Sequence, residues 1–190
     1  THHRKPDEFI ELLNGIGFLT QSTQPTNTGK PGHTSFMANS IDFALYNEKH
    51  EPVNFWAKKI ESPHKTAFLN ENGLYPGYPA ETTRRLYLTA DVLDCATLLE
   101  SRMLDNREST FNLFDGQLKP QHIEAIRKLG QLREIVIFTD NRISETLIEQ
   151  VRAINPGVQV MLVELPDNDT LNDIYLKYGD EFITWLIDDV

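Results

Sequence analysis

The rhythm of apolar and polar positions changes twice along this chain. In residues 6–13, PDEFIELL, apolar side chains return at a helical interval. Pro6 suits a first turn, and Asp7 and Glu8 complement its positive end, so a short helix is expected. NGIGF then breaks it. Residues 20–35, TQSTQPTNTGKPGHTS, carry no apolar rhythm and are rich in Thr, Gly and Pro, which predicts a surface loop whose glycines match no phosphate-binding pattern. IDFALY (41–46) and VNFWAKKI (53–60), joined by polar NEKHEP, read as two strands. In the second, Val53, Phe55 and Ala57 share one face, and Trp56 and Lys58 the other. Residues 61–85 are irregular and contain turn-rich LYPGYP, which places a boundary near residue 80.

From residue 85 the rhythm becomes regular. RLYLT is a strand and 91–104 a helix; FNLF is a strand, and KPQHIEAIRKLG a helix stopped by Gly130; REIVIFTD is a strand and SETLIEQVRAI a helix; VQVMLVEL is a strand. NDTLNDIYLKYG and DEFITWLIDD supply the last helices. Strands alternating with helices predict an α/β fold with a mostly parallel sheet flanked by helices over 81–190, preceded by a smaller α+β subdomain over 1–80. Sheets of this kind bind ligands beyond the C-terminal ends of their strands.

Charge adds an asymmetry. Residues 1–85 carry nine basic and nine acidic side chains, whereas 86–190 carry nine and nineteen, which accounts for the net charge of −10. An acidic field works against non-specific binding to phosphate and suits a metal cleft, a protein partner or plain solubility. No apolar run approaches the roughly 18 residues of a membrane span. Cys95, the one cysteine, excludes an intrachain disulfide and a cysteine zinc site, and a cytoplasmic location is expected. The histidines at 2, 3, 33, 50, 64 and 122 show no metal-ligand spacing.

The predicted strand ends offer acids: Asp91 with Asp94, Asp115, Asp140, and Asp167 with Asp169. Mg²⁺ takes one or two carboxylates plus waters and phosphates. Asp140 follows an almost wholly apolar strand, a position that aims it into the crevice; its alternative role is to cap the helix after DNRISE. Asp91 and Asp94 are three apart, on one helix face, where they also complement the helix dipole. Asp167 and Asp169 suit capping of the next helix, and Asp115-Gly116 a tight turn. Cys95 lies one turn into a helix, facing the core.

Together these elements resemble the Toprim domain of DnaG-type bacterial DNA primases. The likeness runs upstream into the primase core through GIGF (15–18), IDFALYNEKHEPVNFWAKKI (41–60) and HKTAFLN (64–70). It continues through GLYPGYPAETTRRLYLTADVLDCATLL (73–99), FDGQLKPQHIEAI, EIVIFTDNRISE and VELPDNDTLNDIY, as in primase-like proteins of mobile elements in gut bacteria. The resemblance implies a glutamate-glycine pair after the first strand, where this chain has Ala90-Asp91. It implies Asp-x-Asp after the third strand, where this chain has Asp140-Asn141-Arg142. The next family acid falls at Asp169 or Thr170, and Asp94 matches an acid of the first helix. Alanine neither holds metal nor moves protons, and Arg142 repels a divalent cation or pairs with Asp140. The implied nucleic-acid or nucleotide contacts are Lys58, with Lys59 beside it, Lys65 and Asn70, joined by Arg84 and Arg85. The lysines at 58 and 59 equally suit a solvated hairpin edge.

The residues and the resemblance together predict a primase-core-like protein of DNA replication or mobile-element transfer, catalytically impaired, with residual nucleic-acid or protein binding and no cofactor. One alternative is an active primase using Asp91, Asp94 and Asp140, with Asp169 in the Mg²⁺ or Mn²⁺ set. Another is a protein-interaction module with an acidic face. Expected partners are single-stranded DNA and replication or mobile-element proteins, with no membrane. No zinc-binding or helicase-binding module is visible, so a core cut from a longer protein is expected.

Overall fold

The computed structural model describes residues 6–25, 31–62, 65–101, 103–114, 116–139, 143–166 and 169–188. The chain forms two compact units that divide between Gly73 and Leu74.

The first unit opens with α1 (Pro6–Gly15), whose first turn holds Asp7 and Glu8. Next come β1 (Leu19–Pro25) and β2 (Pro31–Ser35), an antiparallel pair in which Thr20 faces Thr34 and Gln21 faces His33. This corrects the loop expected over 20–35. Threonine is β-branched and favours extended backbone, and a ribbon with few buried side chains has no apolar alternation to announce it. β3 (Ser40–Tyr46) and β4 (Pro52–Lys59) form the hairpin read from the sequence, and β5 (Thr66–Phe68) adds a third antiparallel strand to β4. Phe18 packs against Phe55 with ring centroids 4.5 Å apart. Gly73 sits at φ +81°, where a Cβ would lie 3.0 Å from both Leu45 and Val53, so only glycine fits this exit.

The second unit holds a four-stranded sheet in the order β7-β6-β8-β9, every pair parallel. Its strands are β6 (Arg85–Thr89), β7 (Glu108–Asn112), β8 (Glu134–Thr139) and β9 (Gln159–Glu164). The helices are α2 (Val92–Glu100), α3 (Pro120–Lys128), α4 (Glu145–Ile154), α5 (Leu171–Tyr178) and α6 (Asp180–Asp188). Strand alternation splits the core into two layers. Leu86, Leu88, Ile135 and Ile137 pack with α3 and α4 through Ile126, Leu147 and Val151. Tyr87, Val136 and Phe138 pack on the other face with Leu98 of α2, Leu171 and Ile174 of α5, and Ile183 and Ile187 of α6. Both faces are covered, which is why β6 and β8 read as continuous apolar runs. The strand expected at 111–114 begins earlier, at Glu108. The parallel register pairs Glu108 with Arg85, and Leu113 and Phe114 are buried beyond the strand end, Phe114 at φ +51°.

Candidate functional site

The C-terminal ends of β6 and β7 form the mouth of the sheet, and neutral groups already joined to one another occupy it. Asn112, wholly buried, donates from Nδ2 to the Thr89 carbonyl at 3.1 Å and to Thr89 Oγ1 at 3.0 Å. Its Oδ1 accepts from Phe114 N at 2.7 Å. Ala90, 4% exposed, follows Thr89 and brings no oxygen ligand on its side chain. Cys95 lies beneath, with Sγ 3.5 Å from Thr110 Oγ1. Burial pushes its thiol up to about 12, which keeps it a protonated, inert core group.

The two acids of α2 are both engaged by backbone. Asp91 is the N-cap, and its carboxylate accepts from Leu93 N at 2.8 Å. Asp94, 2% exposed, reaches across to α5, where Oδ1 accepts from Asn172 N at 2.9 Å. Asn172 returns a bond from Nδ2 to Thr97 Oγ1 at 2.9 Å, so α2 and the first turn of α5 are latched at two points. An N–H at that position has no partner within its own helix, and a carboxylate is its best acceptor. Thr170 caps α5 through a reciprocal box with Asp173. The cap expected from Asp169 is therefore supplied one residue later, because Asp169 instead accepts from Lys177 Nζ at 2.5 Å. Asp140, Asn141, Arg142, Asp115 and Asp167 lie outside the described residues. Among the described residues no three His, Cys, Asp or Glu side chains are grouped as a metal site.

In the first unit, Lys58 and Lys59 end β4, half-buried and on opposite faces of the strand. Lys65 comes next to them: Lys59 N donates to the Lys65 carbonyl at 3.0 Å, and Thr66 pairs with Lys58. Asn70 is not with the lysines. It sits beside Asn54, about 13 Å back along β4 at the strand rise per residue. Its Nδ2 donates to the Val53 carbonyl at 2.9 Å and its Oδ1 accepts from Asn72 N at 2.8 Å. Asn54, wholly buried, donates to the Asn70 and Asn72 carbonyls, each at 2.8 Å. These two asparagines stitch the 70–72 turn to β4.

Arg84 and Arg85 lie at the start of β6, the end of the sheet remote from Asp91. Arg85 pairs with Glu108 Oε1 at 3.4 Å and with Glu134 through Nε, one guanidinium bridging the first residues of three strands. The Tyr87 hydroxyl donates to Glu108 Oε1 at 3.1 Å, and burial raises its phenol, so it stays a neutral donor. Sequence reasoning misses Asn112, Asn172 and the Glu108–Arg85–Glu134 bridge. The only sequence signal for the bridge is the Arg or Glu that opens each of β6, β7 and β8.

No family model matches the chain. It is 30% identical over 122 residues to the tRNA modification GTPase MnmE of Paramagnetospirillum magneticum, a match covering 57% of this chain and 27% of that protein. In structure it is similar to a DNA primase domain from Pseudomonas aeruginosa, with a TM-score of 0.64 and 13% identity over 94% of this chain and 58% of that one. It is similar to the DnaG primase catalytic domain bound to ssDNA, with a TM-score of 0.62 and 13% identity over 97% of this chain and 61% of that one. It is also similar to the RNA polymerase domain of Mycobacterium tuberculosis primase DnaG in complex with a double-stranded DNA oligomer bearing an overhang, with a TM-score of 0.64, 13% identity and coverage of 94% and 60%. The chain spans about three-fifths of these solved chains and about a quarter of the curated relative. It has the fold of the DnaG-type primase catalytic core.

Proposed function

We propose that this chain is a primase-core-like protein of DNA replication or mobile-element transfer that has lost the metal chemistry of its fold and keeps a capacity to bind single-stranded nucleic acid or a protein partner. Residues 1–80 take the part of the N-terminal subdomain and 81–190 that of the Toprim domain. The observation that carries the reading is the state of the first strand's mouth. Ala90 stands where a ligand is needed, Thr89 and Asn112 satisfy each other, and the carboxylates of Asp91 and Asp94 accept from backbone N–H groups of two helices. Each carboxylate commits one oxygen to a helix N–H, and turning that oxygen toward a cation would orphan the N–H at a cost of about 1–3 kcal/mol. Ala90 beside two carboxylates held in this way does not fit a resident Mg²⁺ or Mn²⁺. The solved cores with bound DNA support a nucleic-acid role for the fold, and Lys58, Lys59 and Lys65, gathered at one end of β4 and β5, are the residues proposed to meet phosphate. The partial likeness to a GTPase finds no support in the residues. The sequence has no Gly-x-x-x-x-Gly-Lys-Ser/Thr, and its one Gly-Lys, at 29–30, is followed by Pro31.

Two measurements test this. Titration with Mg²⁺ or Mn²⁺ into labelled protein is expected to leave the amide signals of residues 89–94 in place at millimolar metal. Saturable shifts centred on Asp91 and Asp94 would instead restore the active-enzyme reading. Single-stranded DNA binding is expected to weaken as salt rises, by about 0.7 in log K per log salt for each phosphate contact. Lys58→Ala with Lys65→Ala is expected to weaken it further. Absence of binding at low salt would leave a protein partner as the role.

A further inference from the structure

β6, β7 and β8 are each preceded by an arginine: Arg84, Arg107 and Arg133. Backbone hydrogen bonds set the three side by side, in the order Arg107, Arg84, Arg133. Arg84 N donates to the Arg107 carbonyl at 2.7 Å, and Arg133 N donates to the Arg84 carbonyl at 2.9 Å. At the spacing of adjacent strands the row is about 10 Å long. The next row inward is Glu108, Arg85 and Glu134, paired internally with one negative charge left over: Arg85 bridges both glutamates, and Tyr87 and the Asp105 amide also bond to Glu108. Asp105 Oδ1 accepts from Arg107 N at 2.6 Å. The acids nearest the arginine row are thus already engaged. Among the described residues, none of the three outer guanidinium groups makes an ion pair or a hydrogen bond. Arg107 and Arg133 are exposed and Arg84 is half-buried.

Like charges on adjacent strands repel, so three unneutralised arginines in register cost stability unless something anionic meets them. Two of them, Arg107 and Arg133, come from residues 86–190, the segment whose nineteen acidic side chains give the chain its net negative charge. We propose that this row, at the N-terminal edge of the parallel sheet and remote from the strand mouth, is a phosphate-backbone contact for nucleic acid. Its length of about 10 Å spans about three axial steps between successive phosphates of one strand of a duplex, at about 3.4 Å each. The planar guanidinium grips phosphate in a fork that lysine does not reproduce. Asp105, Glu108 and Glu134 flank the row and confine contact to the backbone, which makes the binding indifferent to sequence. The site rests on the nucleic-acid reading above but uses residues independent of Lys58 and Lys65.

The test is fluorescence-anisotropy titration of the full chain with a mixed-sequence oligonucleotide, single-stranded and duplex, over a salt series. Arg107→Gln with Arg133→Gln is expected to weaken binding at low salt about tenfold or more and to flatten the salt slope by about 1.4–1.8, at 0.7–0.9 per lost contact. Arg127→Gln with Arg152→Gln removes the same charge from exposed helix ends and is expected to leave the slope unchanged. Arg107→Lys with Arg133→Lys is expected to keep most of the slope with weaker affinity. Equal losses in the 107/133 and 127/152 variants would mean that net charge alone is at work and would overturn the site. So would a loss on Lys58→Ala/Lys65→Ala with none on the arginine variants, an outcome that leaves the wider nucleic-acid reading standing. Inorganic triphosphate is the competing ligand: if it shifts the Arg107 and Arg133 side-chain signals and oligonucleotide does not, a free polyphosphate holds the site and the nucleic-acid assignment falls.

Discussion

Replacing Asp94 with alanine is expected to lower the unfolding free energy by about 2–4 kcal/mol, equally with and without Mg²⁺. The loss has two parts. The Asn172 N–H is left without its charged acceptor, and the latch between α2 and α5 keeps only the bond from Asn172 to Thr97. The sign separates two roles for one carboxylate. An acid placed to bind metal is crowded by other acids, so deleting it from metal-free protein relieves repulsion and stabilises. An acid that caps a helix destabilises when deleted, whatever metal is present. Asp94→Asn keeps an acceptor oxygen and is expected to cost about half as much, because a neutral acceptor bonds about half as strongly as a charged one. Denaturant unfolding of the three proteins with and without Mg²⁺ decides it. A stabilised Asp94→Ala, or a magnesium-dependent difference, would return Asp94 to a metal site.

The second large effect is set by His122. Its ring is 1% exposed, stacks on Phe111 at 5.1 Å, and accepts at Nδ1 from Lys119 N at 3.0 Å. Burial, then the charge of Lys119, hold the imidazole down at about 4, against a partial opposing pull from its bond to the Asn112 backbone. Above 6.5 both folded and unfolded chains carry the neutral ring, and the group costs nothing. As pH falls below 6.5 the unfolded chain gains a proton that the folded chain refuses until about 4, so stability drains away through that window and levels off beneath it. The total is about 3 kcal/mol, with about 2 kcal/mol lost between about pH 7 and 5, before most carboxylates titrate. His122→Gln is expected to flatten the stability profile in that interval. Direct titration of the ring by NMR checks the same point if the variant folds poorly. A ring that protonates near 6.5 in the folded protein would refute this coupling.

Much of the second unit is legible in its sequence, for a physical reason. β6 and β8 are buried on both faces, so their composition has to be apolar; the caps of α4 and α5 are less legible, being Ser144 and Thr170 where the sequence suggests Asp140 and Asp167 or Asp169. β7 is harder. Thr110 and Asn112 are buried because they bond to Cys95 and Thr89, partners fifteen and twenty-three residues away, so the apolar pattern alone starts the strand three residues late. The pair β1 and β2 escapes notice because its described side chains, at 19–22 and 33–35, are exposed or only half-buried. Asn70 looks like a ligand-facing residue in the string, whereas in the fold its amide is consumed by the turn it closes. The role of Asp94 depends on Asn172, seventy-eight residues distant, and no local pattern encodes that.

The strand that starts the sheet also ends up between two later ones, β7 on one side and β8 on the other. During synthesis, therefore, β6 emerges with both flanks bare; β7 can cover one only once the chain has grown through Asn112, and β8 the other only once it has grown through Thr139, since each parallel neighbour arrives after a full crossover. Productive assembly cannot ratchet forward hairpin by hairpin; it waits for distant segments to meet, which makes the nascent α/β half the slow and adhesive stage of this protein's biogenesis.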